Sequence, residues 1–266
     1  MRIARFTTGE EPQYGVVTGD VDELGIPADD TKIVALAGDP LYVGIQLTDT
    51  EVPLADVRLL APVIPRSKVV GIGKNYAAHA REMGGEPPAE PLMFLTPNTA
   101  VVGPGDPVVM PPQSNDVHYE GELAVVISRI CRDVPIERVR DVIFGYTCAN
   151  DVTARDLQRT DGQWARAKGF DTFCPLGPWI ETDLDTSDLA IVTRLDGEVV
   201  QEGTTADMIH DVAELVAYVS QAFTLLPGDV ILTGTPAGVG PVAAGQRVEV
   251  EIEGIGTLSN PFVRRD

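Results

Sequence analysis

Basic residues, histidine, cysteine and long apolar runs are scarce in this sequence. Its 266 residues carry 20 Lys and Arg against 40 Asp and Glu, a formal charge of −20, with only 3 His. Such a balance repels nucleic acid and anionic lipid, so neither is expected as a partner. It would repel an anionic substrate too, unless a bound cation reverses the charge locally. The 3 cysteines, Cys131, Cys148 and Cys174, are odd in number, far apart and without a CxxC pair. That argues against a disulfide framework or a cysteine zinc site and predicts reduced thiols used as small core residues. No apolar run reaches the ~20 residues of a membrane span, and residues 1–6 open no signal-peptide core, which together predict a cytoplasmic protein. Repeats, heptads and low-complexity tracts are absent.

A dinucleotide fingerprint is missing as well. Gly71-x-Gly73 follows a β-like run, but the third glycine is not there, nor is a GK[ST] phosphate loop, which leaves little room for a nicotinamide enzyme. What remains is an ordinary globular composition, 44% hydrophobic and 23% charged, long enough for one large core with a smaller appendage.

Residues 117–127, VHYEGELAVVI, are the organising stretch. Alternation along a strand puts Glu120 and Glu122 on one side, and the apolar, β-branched run after them reads as a strand buried on both faces. Two carboxylates opening such a strand repel each other and lose hydration. A hard cation such as Mg²⁺, Mn²⁺ or Ca²⁺ would hold them together; otherwise that strand end is solvated.

Other residues join this pair as candidates. Asp151 ends the β-like run 142–149 and reads either as a third carboxylate ligand or as a helix N-cap before residues 152–158. His79 and Glu82 share a face if residues 77–82 are helical, a pairing suited to proton transfer or to a plain surface contact. Lys168 lies in a Gly-, Pro- and aromatic-rich stretch too apolar to be merely solvated, and it could offer fixed positive charge. Thr233-Gly234-Thr235 begins a glycine-rich loop that follows a strand and lets backbone approach a ligand. Residues 84–91, GGEPPAEP, read as a hinged lid or as a connection.

The remaining pattern predicts strands over residues 3–6, 14–17 and 92–95, an Asp-Gly hairpin over 190–201 and a closing hairpin over 245–258. Short helices are predicted over 29–36 and 134–142. A longer one is predicted over 208–223, starting near Asp207, with His210 as an exposed residue off its apolar stripe. Residues 1–63 read as a small N-terminal domain with no chemistry-bearing pattern, and 64–266 as the catalytic domain.

Five ordered motifs resemble the fumarylacetoacetate hydrolase family: GIGKNYAAH from Gly71, YEGELAVVI from Tyr119, GYTCANDVTARDLQ from Gly145, KGFDTFCPLGP from Lys168 and LTGTPAGVG from Leu232. The resemblance implies a mixed, mostly β fold, a rolled or barrel-like sheet with a few helices, and a homodimer. It implies that Glu120, Glu122 and Asp151 hold a divalent cation, usually Mg²⁺. Arg155, Gln158, Gly234 and Thr235 would then line the substrate site, with His79, Glu82 and Lys168 catalytic. The implied chemistry is metal-assisted enolisation of a pyruvate-like 2-oxo acid, ending in C–C hydrolysis or decarboxylation, or else in isomerisation of 2-hydroxyhepta-2,4-diene-1,7-dioate in aromatic catabolism. A non-catalytic metal-dependent binding protein is the contrasting reading, and it would have lost one of His79, Glu82 or Lys168.

Overall fold

The computed structural model describes residues 1–19, 27–28 and 30–264. The fold is mixed α/β and mostly β, with several sheets and few helices. At its centre Gly121–Ile127 is buried at all seven positions. Leu123, Val125 and Ile127 enter one apolar cluster, Ala124 and Val126 the other, as the two-residue period of a strand requires. It pairs antiparallel with Ile143–Asn150 on one side and Val230–Leu232 on the other. Beyond Val230–Leu232 lie Val69–Gly73, in parallel, and then Leu92–Thr96.

On the opposite flank Cys174–Glu181 follows Ile143–Asn150 and then pairs with Arg2–Thr7. The strands Gln13–Thr18, Lys32–Leu36 and Leu47–Pro53 continue outward as an antiparallel meander, so one sheet runs from the N-terminal segment into the centre. A five-stranded sheet carries the Ala190–Leu195 and Glu198–Thr204 hairpin. Asp196 and Gly197 both take positive φ at its turn, as a two-residue hairpin demands. Arg247–Ile252 buries Val248, Val250 and Ile252 while Glu249 and Glu251 lie on the other face.

Two local readings are corrected. Residues 32–36 form a strand, not a helix, because Ile33 and Ala35 alternate into the core between two partner strands; residue 29, where that helix is expected to begin, lies outside the described residues. The long helix is Val212–Ala222, and its cap is Asp211, not Asp207. Asp211 accepts the Glu214 amide while Glu214 accepts the Asp211 amide, a reciprocal capping box. His210 is half-buried and 3.6 Å from Glu214. No helix among the described residues is long and apolar enough to cross a membrane.

Candidate metal centre and active-site cavity

The strand expected over 117–127 is broken at Glu120. Val117–Tyr119 pairs with Thr153–Ala154 and Gly240–Pro241 in a small separate sheet, whereas Gly121–Ile127 belongs to the large one. At the break the Glu120 amide donates to Asn150 Oδ1 (2.9 Å), and its carbonyl accepts the Asp151 amide (2.9 Å). Gly121 lets the strand Ala190–Leu195 approach closely, since a Cβ there would lie 2.1 Å from Thr193 Oγ1.

Glu120, Glu122 and Asp151 are all buried, and each brings a carboxylate oxygen within 4.8 Å of the other two. Asp151 does not cap the following helix: Arg155–Asp161 starts after Ala154 without a side-chain cap. Lys168 comes from the short helix Ala165–Lys168 and is itself buried. Its Nζ donates to Glu120 Oε2 (2.7 Å), Asp151 Oδ2 (2.5 Å) and Thr153 Oγ1 (2.8 Å). Arg155 Nη2 binds Glu120 Oε1, and Nη1 donates to Gln158 Oε1 (2.8 Å).

The two cations therefore serve Glu120 and Asp151, while Glu122 receives only the Gly234 amide (2.7 Å). The titrations follow. Burial works to raise Glu120, but Arg155 and Lys168 overcome it and hold its carboxyl down to about 2. Burial and then Asp151 and Glu120 push Glu122 well above the carboxylate range. Burial, only partly offset by Lys168, pushes Asp151 up to about 6. Burial depresses Lys168, yet Asp151 and Glu120 leave it net raised.

This donor set fits a divalent ion. Asp151 Oδ1 is buried with no hydrogen-bond partner, which is costly unless something positive completes it. Three carboxylates face two cations, and oxygen-only donors match Mg²⁺, Mn²⁺ or Ca²⁺.

A cavity of about 160 Å³ opens onto the centre. Glu120, Glu122, Lys168, Arg155, Gln158, Thr235 and His79 line it, as do Ile72, Gly73, Lys74, Met83 and Trp164. His79 lies on the helix Ala77–Glu82, where its Nδ1 is 3.2 Å from Glu82 Oε2. Glu82 is not on the cavity wall; its carboxylate accepts the Gly238 amide (3.0 and 3.2 Å), tying the helix to the glycine-rich loop. Thr235 Oγ1 donates to Gly121 O (2.8 Å) and accepts from Gln201 Nε2 (2.8 Å), so its hydroxyl is already engaged. Gly234 likewise spends its amide on Glu122 rather than on the open cavity.

Sequence reading passed over several contributors. Gln201 donates to Thr235 and accepts the Gly121 amide (3.0 Å), and nothing in its hairpin context marks it. Asn75 Nδ2 donates to the carbonyls of Thr233 (2.8 Å) and His210 (3.0 Å), holding the start of the loop. Gly71 and Gly73 are beds for aromatic rings: added Cβ atoms would meet Phe94 at 2.0 Å and Trp164 at 2.4 Å. The lone lysine of GKNY, Lys74, was a visible signal.

Fold and site together define an enzyme with a buried carboxylate centre able to hold a divalent metal. Residues 68–263 match the fumarylacetoacetate (FAA) hydrolase C-terminal family and residues 1–62 the Rv2993c-like N-terminal family. The chain belongs to the fumarylacetoacetate hydrolase family. It is 52% identical to Protein Rv2993c of Mycobacterium tuberculosis, over 100% of this chain and 99% of the relative. The crystal structure of 5-carboxymethyl-2-hydroxymuconate delta-isomerase from Mycobacterium smegmatis superposes with a TM-score of 0.91 at 49% identity, covering 100% of both chains. Oxaloacetate tautomerase Fahd2a, mitochondrial, of Rattus norvegicus is 37% identical, over 99% of this chain and 92% of the relative. Maleylpyruvate hydrolase from Sphingobium sp. SYK-6, solved with manganese (II) and pyruvate, gives a TM-score of 0.79 at 33% identity and covers 100% of both chains.

Proposed function

We propose that this enzyme enolises a pyruvate-like 2-oxo dicarboxylic acid, moving a proton at the carbon beside the keto group. The observation that carries the reading is that His79 and Lys168 line one cavity together with Glu120 and Glu122. A divalent ion held by Glu120, Glu122 and Asp151, Mg²⁺ or Mn²⁺ with Ca²⁺ also fitting, supplies Lewis acidity toward the 2-oxo and carboxylate oxygens when bound. Lys168 adds fixed positive charge beneath the carboxylates, offsetting the negative charge that grows on the substrate oxygen. Gln158, whose Oε1 is taken by Arg155, keeps its amide N–H groups for the substrate carboxylate. His79 Nδ1 is held by Glu82, which leaves Nε2 to take and return the proton.

Two of the named relatives, an isomerase and a tautomerase, rearrange without breaking the carbon chain, and this favours proton transfer alone as the outcome. C–C cleavage is the second reading, as hydrolysis of an acylpyruvate or decarboxylation. The His79–Glu82 pair favours it because the same pair can orient water, and one structural neighbour is a hydrolase. A homodimer goes with either reading, since Leu92 and Leu95 leave 40% and 45% of their surface exposed beside Trp164.

The test is to add oxaloacetate to metal-loaded protein, following the enol absorbance and, separately, pyruvate. Faster enol–keto exchange without pyruvate is expected. Pyruvate formed as fast as enol is lost would replace this reading with decarboxylation, and no metal-dependent effect on either signal would overturn it.

A further inference from the structure

Three cations line the cavity, and two are committed. Arg155 is bonded to Glu120 and Gln158, and Lys168 to Glu120, Asp151 and Thr153. Lys74 is the third. It is half-buried, and among the described residues no carboxylate or other acceptor bonds its ammonium. An uncommitted ammonium beside a carboxylate-rich centre, in a chain with twice as many acidic as basic residues, is unexpected unless something keeps it from those carboxylates.

The course of the chain does so. Lys74 has φ +59°, a left-handed conformation uncommon for a residue that carries a side chain. It directly follows the strand Val69–Gly73, and Asn75, the next residue, is pinned through its side chain to Thr233 and His210. The ammonium ends under the turn that closes the His79 helix: an ideal Cβ on Gly85 would lie 2.9 Å from Lys74 Nζ. Lys74 thus belongs to the same segment as His79, while the metal-binding carboxylates come from the sheet below.

We propose that Lys74 is a specificity-determining residue that binds the distal carboxylate of a 2-oxo dicarboxylic substrate. The proposal rests on the enolising function given above. The three carboxylates set against Arg155, Lys168 and a divalent ion leave one net positive charge, and Lys74 makes it two, which matches a dianion. A substrate with an uncharged tail would leave the half-buried Lys74 unpaired.

The first test is equilibrium binding to the metal-loaded protein. Malate and 2-hydroxybutyrate are four-carbon 2-hydroxy acids that differ in the terminal carboxylate, and neither can enolise, so calorimetry reads recognition apart from turnover. Wild type should prefer malate at least about 10-fold, the range of one charged hydrogen bond. Lys74→Met should abolish that preference with 2-hydroxybutyrate changed less than about 3-fold, and Lys74→Arg should restore part of it. Lys74→Gly suits the left-handed backbone and should fold without loss while also losing the preference. Equal weakening of both ligands, or a preference retained in the Met and Gly variants, overturns the role of Lys74. In catalysis, Lys74→Met should raise KM for oxaloacetate about 10- to 100-fold with kcat less affected. Wild type inactive on oxaloacetate but preferring malate would overturn the reaction assignment and support the anion site.

Discussion

Lys168 and Asp151 meet through only one oxygen of the carboxylate: Nζ lies 2.5 Å from Oδ2, while Oδ1, equally buried, accepts nothing. Asp151 thus keeps half its bonding capacity unspent, in a buried cluster with Glu120 and Glu122. Holding Oδ1 empty is unfavourable, and the first prediction follows from that cost.

Mg²⁺ or Mn²⁺ should raise the melting temperature of chelator-treated protein, by about 2.7 kcal/mol of stability at a hundred times the dissociation constant. Asp151→Asn should lose most of that increment, and metal affinity should fall at least about 10-fold, the lower range for disturbing a metal site. Differential scanning fluorimetry with and without metal checks both. An undiminished increment in the variant would remove Asp151 from the ligand set.

The pH dependence has a definite sign. Asp151 is raised to about 6 in the folded protein, so between its unfolded value near 4 and about 6 the folded state holds the extra proton. From this group, metal-free stability is greatest below that window and falls as pH rises through it. Glu120, held at about 2, acts the other way and its contribution is lost as pH falls from about 4 toward 2. The stability difference between wild type and Asp151→Asn across pH 4 to 6, measured by denaturant melts without metal, reads the first effect together with the relief of Glu122, which Asp151 also pushes up. Metal affinity should rise with pH through the same window, because metal displaces that proton.

Lys168→Met should destabilise the metal-free protein by about 3–5 kcal/mol, the usual cost of removing one partner of a buried ion pair. Activity should drop by at least about 100-fold, as when one electrostatic stabiliser is deleted. Lys168→Arg should not rescue it, because a planar guanidinium cannot replace one ammonium that bonds three acceptors. Steady-state kinetics alongside urea melts separates folding from chemistry.

Glu82→Gln and Glu82→Ala should behave differently. Glutamine can still accept the Gly238 amide and keep the helix docked, while removing the charge beside His79. The pH–rate profile should therefore shift in Gln with no change in proteolysis of residues 77–91, whereas Ala should also become easier to cleave there. Matching protease sensitivity in the two variants would show that the Gly238 contact does not hold the helix.

Gly73→Ala should displace Trp164, whose ring lies 2.4 Å from the site of the new methyl group. The protein has 2 tryptophans, and Trp179 is buried far along the sheet with its indole N–H bonded to Ile255 O, so a red shift in emission reports on Trp164. Unchanged fluorescence would mean that the strand can move away instead.

Period and turn chemistry were readable from sequence wherever they were local. The buried strand after Glu122 shows as an unbroken β-branched run, and the Asp196-Gly197 turn as a dipeptide that accepts positive φ. Lys32–Leu36 was misread because it is short, and its partners Gln13–Thr18 and Leu47–Pro53, not its own propensity, fix it. The helix start slipped by four residues because two aspartates precede it and only Asp211 has Glu214 three positions on. The break at Glu120 was invisible, since it depends on the side chain of Asn150 thirty residues later. Gln201 is 80 residues from the glycine amide it receives, and no pattern announces such a contact.

The chamber has two origins. Its floor, carrying Glu120, Glu122 and Asp151, is woven into the central sheet, where Thr233, Gly234 and Thr235 lock onto Leu123, Glu122 and Gly121 in turn. Its roof, residues 74–83, is one short excursion leaving the end of the strand Val69–Gly73, and it brings Lys74, His79 and Met83. Apart from Asn75, which is tied to Thr233, a change in the roof spares the floor's pairing, whereas a change in the floor disturbs several ladders together. Descendants of such a scaffold can acquire new appetites by rewriting that one segment while inheriting the same carboxylate cradle. For an engineer, that segment is the place to randomise.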